Sequence, residues 1–279
     1  SFEQNEIEFL PVPVEDAADQ MIVAKWILRM LGRKNGVNIS FAPKITIGKA
    51  GNGLHIHMLL EKDGVNVTAD ENGLTDTAKK AIAGILNLSA PLTAFGNTIP
   101  TSYLRLVPHQ EAPTNICWGD RNRSVLVRVP LGWVGVDNMV RNANPKEPED
   151  TVGHTSRQTV ELRSPDGSAN IHQLLAGMTV AALHGLQHED SLKIAEELYV
   201  SVDASTVKKL KQLPASCWAA ADMLLKDREV YEKYGVFPGG MIDKLANDLK
   251  MYEDKDLSEK LFGNADALKD LVDRYIHCG

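Results

Sequence analysis

The sequence predicts an α+β fold: a mainly antiparallel, curved sheet with flanking helices over roughly residues 1–170, followed by a mainly helical part over 171–279. Three observations carry this. Short β-branched or alternating runs recur only before Pro165, and helical three-and-four spacing fills nearly everything after Asn170. No internal repeat or low-complexity tract divides the 279 residues, a length that suits one large domain or two small ones.

Taken in order, Glu6–Leu10 reads as a strand. Asp16–Gly36 reads as an amphipathic helix, with Met21, Ile22, Ala24, Trp26, Ile27, Met30 and Leu31 near helical spacing and Gly32 and Gly36 bracketing its end. Asn38–Thr46 and Gly53–Glu61 read as strands joined by a glycine-rich link over Gly48–Gly53. Asp76–Ala94 repeats the helical pattern. Asn115–Trp118, Ser124–Pro130 and Thr159–Ser164 read as three further strands, and the polar stretch Gly135–Thr155 between them as an exposed loop. Helices follow over Asn170–Leu186, Lys193–Leu198, Thr206–Leu225, Gly240–Tyr252 and Ala265–Ile276.

Composition narrows the function classes. A net charge of −7 argues against a nucleic-acid surface, so a basic cluster reads as a local pocket. Cys117, Cys217 and Cys278 are widely spaced and form neither a disulfide framework nor a zinc knuckle, which fits a reducing cytoplasm. No apolar run approaches the roughly 20 residues of a membrane helix. The chain opens on Ser1 and is expected to be a fragment.

Several residues carry possible chemistry. The spacing of His55 and His57 puts both imidazoles on one face of a strand. Gly51 and Gly53 let backbone approach a ligand, although the Gly-Lys-Ser/Thr ending of a P-loop is absent. Glu6, His55 and Glu161 are candidate ligands for Mg²⁺ or Mn²⁺; alternation leaves open whether Glu6 and Glu161 point inward or to solvent. Arg105, Arg121, Arg123, Arg128 and Arg163 fall on strands or strand ends in a stretch poor in acids, a pattern suited to gripping carboxylate or phosphate. His184 and His188 have metal-like i, i+4 spacing but no adjacent glutamate, and read as a solvated helix end.

Five segments together resemble the glutamine synthetase family: Gln4-Asn-Glu6, Lys44 through Ala50-Gly-Asn-Gly-Leu-His-Ile-His57, Thr101-Ser-Tyr-Leu-Arg-Leu-Val-Pro-His-Gln-Glu-Ala-Pro113, Arg121-Asn-Arg-Ser-Val-Leu-Val-Arg-Val-Pro130 and Glu161-Leu-Arg-Ser-Pro-Asp-Gly-Ser-Ala-Asn170. Their order and spacing are similar to the family's over about residues 3–254. The chain departs from the pattern at Glu3, Ile45, Ala50, Leu59 and Thr159, the last standing where many members carry an ATP-contacting arginine that Arg157 is placed to replace.

The resemblance implies the glutamine synthetase/guanidino-kinase type of catalytic fold and ATP-driven joining of ammonium to glutamate. It implies that Glu6, His55 and Glu161 bind metal, that Gly51, Arg105 and Arg163 bind glutamate, that His57 and Arg128 contact ATP, and that Glu111 and Arg123 are catalytic. It further implies a ring-forming homo-oligomer. The family's N-terminal β-grasp domain, its general base and three more metal-binding glutamates are expected to precede this chain, which is expected to be inactive alone. A ligase for another amine such as a polyamine, and a non-catalytic homologue, stay open as alternatives. Tyr199 reads as a core or surface tyrosine, since its surroundings do not match the segment that some bacterial members modify.

Overall fold

A computed structural model describes residues 4–46, 48–107, 111–132, 146, 158–261 and 263–278. The loop expected over Gly135–Thr155 and Arg157 lies outside the described residues, apart from Lys146. The architecture is α+β, with a small sheet buried on one face by helices and a helical C-terminal part.

The main sheet holds four strands in the order β1 (Ile56–Met58), β8 (Val160–Leu162), β7 (Val127–Val129) and β6 (Trp118–Asp120). The β1–β8 and β7–β8 pairs are antiparallel, and β6 runs parallel to β7. Two short hairpins lie between β1 and the first central helix: β2 (Glu61–Lys62) with β3 (Val65–Asn66), and β4 (Ala69–Asp70) with β5 (Gly73–Leu74). The first turns at Asp63 and Gly64, both with positive φ as a tight two-residue hairpin requires.

Helix α1 (Val14–Lys34) precedes the sheet. Helices α2 (Asp76–Asn87), α3 (Ser89–Gly96), α4 (Ser102–Arg105), α5 (Ile171–Gln187), α6 (Ser191–Glu197), α7 (Cys217–Lys226), α8 (Arg228–Glu232), α9 (Gly239–Lys250), α10 (Leu257–Leu261) and α11 (Ala265–Arg274) follow. Side-chain caps fix several starts: Thr75 accepts from the Ala78 N–H, Asn170 from Gln173 and Ser216 from Ala219. Asp254, almost wholly buried, accepts from the Cys217 and Trp218 N–H groups, so a carboxylate sits at the positive end of α7.

The core lies between the inner face of the sheet and the helices. Val127, Val129, Val160 and Leu162 point inward, and Phe95, Tyr231 and Phe237 form an aromatic cluster with centroids 5.0–5.7 Å apart. Helices α2 and α5 cross at two glycines: a Cβ on Gly84 would stand 2.1 Å from the Ala181 carbonyl oxygen, and one on Gly185 the same distance from that of Lys80. Only residues without a side chain allow this approach.

Five sequence expectations differ. Glu6–Leu10 and Asn38–Thr46 form no strand among the described residues; the second instead packs irregularly against the glycine loop, where the Pro43 carbonyl accepts from the Asn52 N–H at 2.9 Å. The helix expected over Asp76–Ala94 breaks at Leu88 into α2 and α3. The one expected over Thr206–Leu225 begins only at Cys217, after a single 3₁₀ turn at Ala204–Thr206; Pro214 lacks an N–H, and Ser216 caps a new start. Arg105, expected on a strand, closes the one-turn helix α4.

Gly84→Ala is expected to cost about 1–3 kcal/mol through overpacking. Urea unfolding measures it, and unchanged stability would show that the α2–α5 crossing relaxes freely.

Candidate active site

The sheet register builds the site. His57 pairs with Glu161 across β1–β8, and Glu161 pairs with Arg128 across β8–β7, so the three side chains form one row on the face opposite the core. His55 lies two residues before His57 and Arg163 two after Glu161, which puts both on that same face.

Glu161 is the hub. Its side chain is 3% exposed, with Oε1 lying 3.0 Å from His55 Nδ1 and 3.4 Å from Arg163 Nε, and Oε2 accepting from Arg128 Nη1 at 3.1 Å. Burial pushes its carboxyl up, but the His55 hydrogen bond and the charges of His55, Arg163 and His57 outweigh this and hold it at about 2. His57 Nδ1 is 3.1 Å from Thr159 Oγ1.

Around this acid runs a string of cations. Burial lowers the pKa of Lys44 and Arg105, and each is lowered further by its cationic neighbour, Arg105 and Arg163 respectively. Arg163 is lowered first by burial; Glu161 opposes this, while Arg128 and Arg123 reinforce it. Lys44, Arg105, Arg163, Arg128 and Arg123 therefore sense one another in a chain; Arg128 Nε is buried without a hydrogen-bond partner, while Arg163 Nε faces the Glu161 carboxylate. Such a string suits an anion far better than an empty surface.

The loop of Arg121 and Arg123 is set by Asn122. Its amide donates to the Val200 and Val202 carbonyls, and its Oδ1 accepts from the Ser124 N–H and hydroxyl. Arg121 takes a positive φ of 54°, and both arginines are exposed on either side of this staple. Arg163 Nη1 donates to the Arg123 carbonyl, tying the loop to β8.

Arg105 is 4% exposed and spends both terminal nitrogens inside the protein, donating to the Ser164 and Arg163 carbonyls at 2.7 and 3.2 Å. Gly51 lies against it: a Cβ there would meet the Pro43 carbonyl oxygen at 2.1 Å and Arg105 Cγ at 3.0 Å. Gln4 donates to the Gly51 carbonyl and to Asn52 Oδ1, which brings the N-terminal segment beside the glycine loop. Glu6, two residues on, is exposed, and Glu111 is exposed just after residues 108–110, which are outside the described set.

His55, His57, Arg128, Glu161 and Arg163 thus converge on one face, with Gly51 and Arg105 behind them and Arg123 tied on by its carbonyl. Sequence reasoning missed the support beneath. Fully buried Asp166 accepts from Asn97 Nδ2 at 2.8 Å and from the Ser168 N–H, while Asn97 also donates to the Ser164 carbonyl and accepts from the Tyr103 hydroxyl on its own carbonyl. The signal was the Pro165-Asp166-Gly167 turn directly after Arg163.

The donor set fits a divalent cation in part. His55 Nδ1 and Glu161 Oε1 lie 3.0 Å apart and are the residues that would hold such an ion. Among the described residues no group of three or more His, Cys, Asp or Glu comes together.

The sequence model described as "Glutamine synthetase, catalytic domain" matches residues 1–262. The chain belongs to the glutamine synthetase catalytic-domain family. The glutamine synthetase of Pyrococcus abyssi is 36% identical over 235 residues, covering 83% of this chain and 49% of that protein. That of Mycobacterium tuberculosis is 33% identical over 245 residues, covering 86% and 47%. The chain therefore spans about half the length of these relatives. Two solved structures share its fold at a TM-score of 0.66: a "novel glutamine synthase homolog", 24% identical over 93% of this chain and 53% of that one, and the Plasmodium falciparum glutamine synthetase, 20% identical over 90% and 53%.

Glu161→Gln should cost the metal-free protein about 3–5 kcal/mol at pH 7 by leaving buried cations uncompensated. Because the folded pKa is depressed, this stabilisation is complete above the ordinary value of 4.5 and is lost as pH falls toward about 2. The stability gap between wild type and variant should narrow from pH 5 to pH 3 in urea titrations; a constant gap would remove Glu161 as the hub.

Proposed function

We propose that the protein carrying this chain joins ammonia to the γ-carboxylate of L-glutamate using ATP, through γ-glutamyl phosphate, and releases glutamine, ADP and phosphate. The observation that carries this reading is the string of cations around Glu161, with the buried Arg128 Nε left without a hydrogen-bond partner.

In this reading His55 and Glu161 hold a divalent ion, Mg²⁺ or Mn²⁺, which neutralises phosphate oxygens when bound. Arg128 and His57 bind the nucleotide phosphates, with Arg128 Nε as the donor still available. Arg163 holds the glutamate carboxylate, while Arg105 adds charge and fixes the glycine loop at Gly51 through the carbonyls it already grips. Glu6 serves a second ion from the segment beside that loop.

The γ-carboxylate oxygen attacks the terminal phosphorus of ATP, and ADP leaves. Arg123, exposed at the rim and stapled by Asn122, neutralises the phosphoryl group in transit. Glu111 takes a proton from ammonium; ammonia then attacks the acyl carbon and phosphate leaves. Water must be kept from the acyl phosphate throughout, which calls for closure over this face. The protein is assigned to the cytoplasm as a homo-oligomer. Among the described residues no helix is long and apolar enough to cross a membrane, and all three cysteines are unpaired.

A second reading, a homologue without catalysis, is favoured by one contact: Thr159 occupies one nitrogen of the imidazole assigned to nucleotide. Phosphate release from ATP by the full natural polypeptide, with Mg²⁺ and glutamate, separates the readings. Dependence on ammonium is expected. Release dependent only on methylamine or a polyamine would assign another amine, and none with any amine would favour the non-catalytic homologue. Arg123→Ala is expected to lower kcat about 100-fold or more while changing the KM for glutamate little; the reverse pattern would remove its role.

A further inference from the structure

Residues 40–43 lie against the glycine loop and belong to no sheet among the described residues, so side chains hold their backbone in place of a strand ladder. Toward the loop, the Ala42 carbonyl accepts from Asn52 Nδ2 at 2.7 Å and the Pro43 carbonyl from the Asn52 N–H at 2.9 Å. Away from it, the Ser40 hydroxyl donates to the Ile276 carbonyl and accepts from the Ala42 N–H at 3.2 Å. Phe41 is gripped from α1, where Lys25 Nζ and Arg29 Cζ stand 5.5 and 5.2 Å from its ring centroid. Both cations are tied down in turn. Lys25 donates to the Gly167 carbonyl at 2.8 Å, and a Cβ on Gly167 would stand 2.1 Å from the Phe41 carbonyl oxygen. Arg29 Nη2 donates to the His277 and Cys278 carbonyls at 3.4 and 3.3 Å.

We propose that Ser40 is a positioning residue for the glycine loop and that residues 276–278 are the strap that holds it. A hydroxyl donates and accepts at once, and Ser40 uses both capacities, donating to the strap and accepting from the residue whose carbonyl carries Asn52. The path from strap to loop therefore has three links: Ile276 to Ser40, Ser40 to Ala42, and Ala42 to Asn52. A shift along it is felt at Gly51, which is wedged between the Pro43 carbonyl and the Arg105 side chain with no room for a Cβ. The strap itself is lightly held. His277 is exposed, Ile276 and Cys278 are half-buried, and the anchor just before them is Tyr275, edge-on to Tyr252 at 6.1 Å. Few buried contacts lower the cost of local opening, so docking of the strap governs how firmly the loop is ordered. The match to the family model ends at residue 262, and both α11 and the strap lie beyond it. The inference deepens the ligase reading by naming a residue that sets the glutamate subsite, and it rests on that reading for its kinetic consequence alone.

Hydrogen exchange followed by mass spectrometry on this chain tests the path without any ligand. Ser40→Ala removes both hydroxyl bonds, Ser40→Thr keeps a hydroxyl, and a chain ending at Tyr275 removes the strap. Exchange at the Asn52 amide should quicken about five- to tenfold in Ser40→Ala and in the shortened chain, as the loss of one hydrogen bond predicts. The amides of α5 should stay unchanged, and Ser40→Thr should restore protection. Unchanged exchange at Asn52 in either variant would overturn the proposal. Equal quickening throughout α5 would overturn it as well, because Ser40 would then only stabilise the fold at large. In the full natural polypeptide, Ser40→Ala should raise the KM for glutamate by a similar factor with little change in kcat; an unchanged KM beside quickened exchange would remove the positioning role. A wild-type polypeptide silent with every amine would refute the ligase reading instead, and the exchange data alone would then decide whether the loop hangs from the strap.

Discussion

The Glu161 carboxylate is the constraint on which the rest of the site depends. It stands in the central row of the sheet, between an imidazole strand and an arginine strand, and is the acid that pairs with both Arg128 and Arg163. Without it, Arg128 and Arg163 would repel each other across adjacent strands. With it, they are brought close, Arg163 Nε facing the carboxylate and Arg128 Nε left without a partner. The carboxylate thereby serves assembly before it serves chemistry, because it offsets enough positive charge to fold the site and leaves the remainder for an anion. Its depressed pKa is the signature of that division: burial opposes ionisation, and the surrounding donors overcome it.

Beneath this face a neutral and ionic network fixes geometry. Asp166, Asn97 and Tyr103 lock the turn after β8, and Arg105 clamps the carbonyls at its start. Because Gly51 packs directly on Arg105 and Pro43, the glycine loop is positioned by the same clamp. A residue that looks like a ligand-binding arginine in sequence therefore acts largely through the backbone it holds. Its burial makes this arrangement rigid, since displacing the guanidinium would strand two carbonyls.

Much of this was legible in the sequence where a periodic signal was long or a motif was dense. Helices α1, α5 and α9 appear within a few residues of their expected bounds, because the apolar spacing extends over several turns. The shared face of His55 and His57 followed from two-residue alternation, whereas the direction of Glu161 stayed open and the register that aligns it with His57 and Arg128 depends on strands far apart in sequence. Short elements were not legible. The Leu88 break and the late start of α7 depend on local capping and a proline, and the failure of Glu6–Leu10 to pair depends on what lies beside it, which no local pattern encodes. The Gly84–Gly185 crossing is a contact between segments a hundred residues apart, invisible until both helices are placed.

The departure at Thr159 illustrates how a substitution can redirect a neighbour instead of merely deleting a contact. Many relatives carry an arginine there, as the motif comparison implies, whereas this chain places a hydroxyl 3.1 Å from His57 Nδ1. A hydroxyl both donates and accepts, so it is compatible with either imidazole tautomer. If it donates, Nε2 carries the proton and offers a donor to phosphate; if it accepts, Nε2 presents a lone pair suited to a metal. The hydroxyl at residue 159 therefore leaves the outer nitrogen of His57 able to serve either kind of ligand.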